Sequence, residues 1–131
     1  MKLNFCMIIL VFILQSCFFI GMDKPDDRIK VENKSNLDIG VFLNTEYPDT
    51  SLINAEQRSF VKSMHNESLE VFFDWDFHFK KHKKVTVFIV NWNDVVKYYW
   101  GKNNISEMAV LKKIELSKSN LDSINWIINF P

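Results

Sequence analysis

Residues 85–90, VTVFIV, are the strongest strand-forming segment of this chain. Its side chains are β-branched almost throughout, and such side chains favour extended backbone because a helix restricts their rotamers. The run is also apolar on both faces, which is typical of a strand with other layers packed above and below it. We therefore expect residues 85–90 to form the central strand of a sheet.

Shorter segments with strand patterning surround this central strand. Residues 29–32 alternate between apolar and charged side chains, residues 33–36 are turn-forming, and residues 37–43 alternate before becoming continuously apolar. This pattern predicts a hairpin of two strands. Residues 66–70 are polar and predict another turn. Three more strands are predicted, over residues 58–63, 110–116 and 126–131.

The segment at residues 71–79 fits two secondary structures. Phe72, Trp75 and Phe79 share one face of a helix, whereas four aromatic side chains alternate as they would in a strand. Those four are Phe73, Trp75, Phe77 and Phe79. We interpret the segment as a short helix over residues 75–82.

Two further short helices are predicted nearer the C-terminus. Asn91 or Asn93 can cap a helix over residues 94–100, because an asparagine side chain accepts hydrogen bonds from the free N–H groups of a first turn. Ser117 can cap another helix, which runs through residues 121–124. The buried side of the first helix is expected to consist of Val95, Val96, Tyr99 and Trp100.

These elements predict an α+β fold rich in strands, with about six short strands in a sandwich-like or layered sheet and two or three short helices. The composition permits a sizeable core, since 47% of the residues are hydrophobic and 15% are aromatic. Lysine and arginine number 16 against 16 aspartate and glutamate residues, so no net charge attracts nucleic acid. The basic cluster at residues 80–84 is interpreted as a solvated turn.

The N-terminus has the layout of a signal peptide. Lys2 is followed by an apolar run over residues 5–14, which is shorter than the roughly 20 residues that a spanning helix needs. Residues 14–17, LQSC, resemble the lipobox of bacterial lipoproteins, in which the cysteine is acylated and becomes the first residue of the mature chain. The resemblance implies a signal peptide over residues 1–16 and lipid on Cys17. An uncleaved inner-membrane signal anchor is the alternative.

Lipid on Cys17 predicts an outer-membrane protein that faces the periplasm or the cell surface. Residues 17–28, with Pro25 and several acidic side chains, are expected to form a tether, and residues 29–131 a single globular domain. Cys6 leaves with the signal peptide and Cys17 carries lipid. The globular domain therefore has no thiol for a disulfide or for cysteine chemistry.

Two motifs carry a family resemblance. Residues 47–52 read YPDTSL, and residues 121–131, LDSINWIINFP, end in Asn-Trp-x-Ile-x-Phe-Pro. Together with the Asn-x-Ser turn at Asn33 and Ser35, they resemble a group of small Bacteroidota lipoproteins, in which Phe130 is usually a tyrosine. The resemblance implies an envelope location and supplies no enzymatic activity, cofactor or substrate.

A metal site is one hypothesis for the residues of the aromatic segment. His78 and His82 are spaced to point the same way from a helix, as two ligands of one metal ion must. Asp74 and Asp76 are the further candidate ligands. The alternative is a polar face opposite the aromatic side chains, since a His-x3-His pair without the glutamate of a zincin motif is a weak signal.

The sequence lacks the motifs of an enzyme. It contains no Gly-x-Ser-x-Gly motif and no glycine-rich phosphate loop, and its three glycines leave few places for a close backbone approach. We therefore expect a non-enzymatic protein without a cofactor.

A binding module for an envelope protein or a glycan is the leading functional hypothesis. Pro48 restricts Tyr47 to extended backbone, and the loop can present Tyr47 and Asp49 to a partner or serve only as a well-formed turn that inserts Leu52 into the core. Trp92 and Tyr98 have polar neighbours and are expected to be exposed. The alternative function is a metal-binding protein or metal-dependent enzyme that uses His78 and His82.

Overall fold

A computed structural model describes residues 28–71 and 73–131. The predicted signal peptide, Cys17 and the tether up to residue 27 lie outside the described residues. The described strands are β1 (Lys30–Asn33), β2 (Ile39–Asn44), β3 (Glu56–Val61), β4 (Asn66–Ser68), β5 (Val85–Asn91), β6 (Val110–Leu116) and β7 (Ile127–Phe130). The α-helices are α1 (Trp75–Lys81), α2 (Trp92–Tyr99) and α3 (Lys118–Ser123), and a 3-10 helix spans Ile105–Glu107.

The strands form two sheets. Sheet A has the order β4-β1-β7 and sheet B the order β3-β2-β5-β6. The β1–β7 pair is parallel and every other pair is antiparallel. The prediction of a strand-rich, sandwich-like α+β fold is confirmed.

Strand β5 is central in sheet B, as predicted, and it is buried from Val85 to Val90. Its odd-numbered side chains, such as Val87 and Ile89, belong to the main core between the sheets, which α1 closes with Trp75. Its even-numbered apolar side chains, Phe88 and Val90, belong to a second core on the opposite face of sheet B. This is why the sequence of β5 is apolar on both faces.

The second core is covered by α2, the 3-10 helix and the segment that follows β2. Val95 of α2 is fully buried, and Leu52 packs against this core, as predicted. Gly40 of β2 provides the space for α2, because a Cβ atom at this position would lie 2.9 Å from Cγ2 of Val95. The N–H of Trp92 also donates to the carbonyl of Asp38 at 3.1 Å, which fixes the start of α2 against sheet B.

The predicted hairpin of β1 and β2 is wrong, because the two strands belong to different sheets. The buried side chain of Asn33 explains the change of sheet. Its amide donates to the carbonyls of Leu37 at 2.7 Å and Lys62 at 3.1 Å, and its oxygen accepts from the hydroxyl of Ser35 at 2.7 Å. Asn33 thus joins the β1–β2 connection to the end of β3, and the Asn-x-Ser turn is a corner between sheets.

Other predictions are corrected in detail. The turn expected at residues 66–70 contains strand β4. Its three residues are exposed and polar, so they lack the apolar alternation that predicts a strand, and they are extended because they pair with β1. The strand expected over residues 58–63 begins and ends two residues earlier, as β3. The helix predicted over residues 94–100 begins at Trp92 and is capped by Asn91. In the described part of the chain, no helix has the length and hydropathy needed to cross a membrane.

Candidate functional site

The YPDTSL loop is held in place by its own polar side chains. Asn44, the buried last residue of β2, donates to the carbonyl of Ser51 at 2.9 Å and accepts from the N–H of Glu46 at 2.8 Å. Asp49 accepts from the N–H of Ser51 at 2.8 Å and from the side chain of Asn54. These hydrogen bonds lower the pKa of Asp49, because they stabilise its charged form.

Neighbouring elements hold the same loop from outside. His82 Nδ1 lies 3.2 Å from the carbonyl oxygen of Tyr47, and Lys84 Nζ lies 5.7 Å from the centre of the Tyr47 ring. On β6, Lys113 Nζ donates to the hydroxyl of Thr50 at 2.9 Å. Tyr47 and Asp49 are therefore half-buried parts of a supported turn, which favours the structural interpretation of this motif.

His78 and His82 lie side by side, as their spacing predicts. Their ring centres are 4.9 Å apart with an interplanar angle of 17°. His78 is buried, and its Nε2 has no hydrogen-bond partner among the described residues. Burial lowers the pKa of His78, and the neighbouring charge of His82 lowers it further, while the backbone carbonyl of Lys84 has the opposite effect.

The two aspartates proposed as further metal ligands have other roles. Asp74 caps α1 by accepting from the N–H of Phe77 at 2.8 Å, and Asp76 pairs with Lys118. In residues 28–71 and 73–131, no group of three or more histidine, cysteine, aspartate or glutamate side chains is placed to hold a metal ion.

Trp92 and Tyr98 do not share a patch with Tyr47. Trp92 follows β5 at the end where Asn91 pairs with Ile39, whereas the Tyr47 loop follows β2 at the opposite end of the same ladder. A six-residue strand separates these ends by about 17 Å. The expectation that Trp92 is exposed is wrong, because the residue is half-buried with its ring centre 4.3 Å from that of Phe60. Tyr98 is exposed, as expected, and its ring lies beside that of Tyr99.

The most exposed aromatic side chains of α2 and its C-cap are those that the sequence pattern assigned to the buried side. Tyr99 is 63% exposed and Trp100 is 75% exposed, and Val96 is also exposed, so the expectation for these three residues is wrong. Only Val95 is correctly assigned. The physical reason is the angular position of Val95, which packs onto Gly40 and so sets the rotation of the helix.

A signal for this exposure was present in the sequence. Successive residues of an α-helix are about 100° apart, so Val96 and Trp100 lie roughly 100° and 140° around the axis from Val95. The apolar arc of α2 is thus wider than the surface that one helix can bury against a sheet. An apolar arc of this width predicts that α2 is either buried on more than one side or exposes some of its apolar side chains to solvent.

We call Val96, Tyr99 and Trp100, which lie within about 100° of one another around the helix axis, the aromatic surface. Its helix is held firmly, since Val95 is buried and the hydroxyl of Tyr99 donates to Oε1 of Gln57 at 2.7 Å. Gly101, with φ of 67°, ends the helix immediately after Trp100. The arrangement presents two large rings to solvent on a rigid support, which suits stacking against a partner.

No protein-family model, curated protein or solved structure matches this chain.

Proposed function

We propose that this protein is a lipid-anchored binding protein of the bacterial cell envelope, without enzymatic activity, which contacts a protein or glycan partner through the aromatic surface. The observation that carries the proposal is the 75% exposure of Trp100 beside Tyr99, which is 63% exposed. A side chain of this size is commonly buried to a large extent. Leaving it in water is a cost to the isolated protein that burial in a complex removes.

The sequence at the N-terminus supports the envelope location. The apolar run over residues 5–14 and the LQSC motif at residues 14–17 lie in the order that lipoprotein export requires. Each methylene of an acyl chain contributes about 0.8 kcal/mol on entering the membrane, and two or more chains give a stable anchor. The tether then leaves the globular domain free to meet envelope partners.

The support beneath the aromatic surface favours binding over an incidental exposure. A helix whose start is hydrogen-bonded to Asp38 and whose Val95 is fully buried loses little further conformational entropy when a partner contacts it. The side chain of Gln57, whose Oε1 accepts from the hydroxyl of Tyr99, borders the rings, and its amide nitrogen can donate to carbonyl or hydroxyl groups of a partner. Aromatic centres with a polar rim are typical of protein interfaces.

A matched pair of variants tests this proposal. Phe77, on α1, is 68% exposed and lies outside the aromatic surface, so Phe77→Ala removes a comparable exposed ring. The full chain in detergent is applied to a glycan array and to an envelope extract, alongside Trp100→Ala and Phe77→Ala. We expect Trp100→Ala to lose at least about tenfold in binding, as an aromatic hot spot does, and Phe77→Ala to retain it.

Two outcomes would overturn the proposal. One is equal binding by all three proteins above the background of an unrelated lipoprotein. The other is the absence of specific binding by the wild-type chain to either probe.

A further inference from the structure

Strand β6 forms an open edge of sheet B. It spans Val110–Leu116 and stands last in the strand order, with β5 as its hydrogen-bonded neighbour. Among residues 28–71 and 73–131, no strand pairs with its outer side. The outward N–H and C=O groups of such an edge can accept another extended strand.

The regular part of β6 is symmetric about Ile114. A register shift opposite Ile89 and Val90 leaves Leu111 without a partner residue, whereas Lys112 to Leu116 pair one-to-one with β5. Ile114 is the middle residue of this regular stretch and packs against the main core. A second copy of the same stretch could therefore align with it along its whole length.

The charges on β6 select one register for pairing between two copies. In an antiparallel pair, the side chains of directly opposite residues lie on the same face of the sheet. If both copies keep their cores on the same face of the joined sheet, one residue of β6 must lie opposite the same residue of the partner, and the pairing is centred on that residue. Centring on Lys113 or Glu115 places like charges against each other. Centring on Ile114 places each Lys113 opposite the partner's Glu115, which gives two attractive pairs.

The lysines of β6 do not shield this edge. Lysine is a common device against edge pairing. Here, however, Nζ of Lys112 donates to the carbonyl of Asn129 at 3.2 Å, and Nζ of Lys113 donates to Thr50 at 2.9 Å. Both side chains lie against their own chain. Val110 and Leu111, which are 44% and 38% exposed, add apolar surface at the start of the strand.

We propose that two copies of this chain associate through β6, in an antiparallel pairing centred on Ile114 that joins the two four-stranded sheets into one of eight strands. This association is independent of the aromatic surface and of lipid anchoring. Its occupant is a second copy, because the alternation of Lys113 and Glu115 is complementary to itself.

Charge reversal provides the test. In the proposed register, Lys113→Glu places two glutamates opposite each other at both positions, and Glu115→Lys does the same with lysines. A mixture of the two variants restores opposite charges at both positions. Two full chains with different affinity tags are expressed together, extracted from whole cells with detergent, and purified through one tag.

We expect the wild-type chains to co-purify and each reversed variant to lose at least about fivefold of the co-purified chain, since two cross-strand pairs change sign. The mixture of Lys113→Glu with Glu115→Lys should recover it. Glu115→Lys also removes the ion pairs of Glu115 with Lys84 and Lys113 within one chain, Lys113→Glu removes the second of these, and mixing does not repair either. Recovery therefore reports contact between copies.

Lys62→Glu, a reversal at an exposed lysine outside β6, is the matched control and should leave co-purification unchanged. An unrelated tagged lipoprotein measures carry-over in shared micelles. Absence of co-purification by the wild type, or a mixture that pairs no better than either variant alone, overturns the proposal. If thermal unfolding shows that a charge reversal prevents folding, a disulfide test replaces the charge-reversal test. In that test a Lys113→Cys chain and a Glu115→Cys chain are expressed together, and absence of a disulfide between them overturns the proposal equally.

Discussion

Gly40→Ala tests how the aromatic helix is seated on sheet B. A Cβ atom at this position would lie 2.9 Å from Cγ2 of Val95, 3.4 Å from Cγ2 of Val90 and 3.5 Å from Cε3 of Trp92. Favourable carbon–carbon contact begins at about 3.5 Å, so the contact with Val95 is too short by roughly 0.6 Å. Val95 is fully buried and has a stiff side chain, so it cannot turn aside at low cost.

Two terms of opposite sign determine the magnitude. Overpacking of a close-packed core costs about 1–3 kcal/mol. Replacement of glycine by alanine also restricts the unfolded chain, which stabilises the protein by about 0.4–1 kcal/mol. The midpoints of the two ranges give a net destabilisation of roughly 1.3 kcal/mol. The loss should come from the seating of α2, because the shortest contact is made to that helix.

Urea unfolding of residues 28–131, followed by circular dichroism, measures the free energy of unfolding. The control is the double variant Gly40→Ala/Val95→Ala, which removes the methyl group that Cβ would meet. The destabilisation caused by Gly40→Ala should be smaller in the Val95→Ala background than in the wild type, as a double-mutant cycle reports for residues in contact. A Gly40→Ala variant as stable as the wild type, or the same loss in both backgrounds, would refute the reasoning about this contact.

Three other predictions concern the corner between the sheets and the histidine pair. Asn33→Leu should lower the free energy of unfolding by about 2–4 kcal/mol, because several buried hydrogen bonds disappear together. The control, Asn36→Leu at an exposed position of the same turn, should change the free energy of unfolding by less than about 1 kcal/mol. Burial lowers the pKa of His78 below its usual 6.5, so at acidic pH the unfolded chain binds more protons than the folded chain does. The contribution of His78 to the free energy of unfolding should be fully present above pH 6.5 and should decrease as the pH falls below 6.5. Urea titrations from pH 7 to pH 5 should show a smaller fall for His78→Gln, and an equal fall would be inconsistent with this cause. Elemental analysis of the purified full chain should find no stoichiometric zinc or copper, whereas metal that disappears in His78→Ala would revive the metal hypothesis.

Local patterns in the sequence predicted most elements because those patterns have local causes. The β-branched run at residues 85–90 forms β5, and Ser117 caps α3 by accepting from the N–H of Asn120. The helix at residues 75–81 was also predictable, since Asp74 stands where a helix cap is needed. In each case, the deciding interaction lies within a few residues of the element.

The errors arose where the deciding contact lies far away in the sequence. Asn33 directs β2 into the other sheet through a hydrogen bond to Lys62, and no local pattern distinguishes that corner from a hairpin turn. Strand β4 exists because it pairs with β1, although its own residues are polar. Gly40 sets the rotation of α2 from another element, and this is why Tyr99 and Trp100 were assigned to the wrong side.

The envelope location in the proposed function requires that lipid on Cys17 anchors the chain. Metabolic labelling of cells that express the full chain with tagged palmitate tests this claim directly. If Cys17 carries the lipid, the wild type and Cys6→Ser are labelled in the membrane fraction and Cys17→Ser is not. A wild-type chain without label, or label that persists in Cys17→Ser, would show that Cys17 does not carry the anchor.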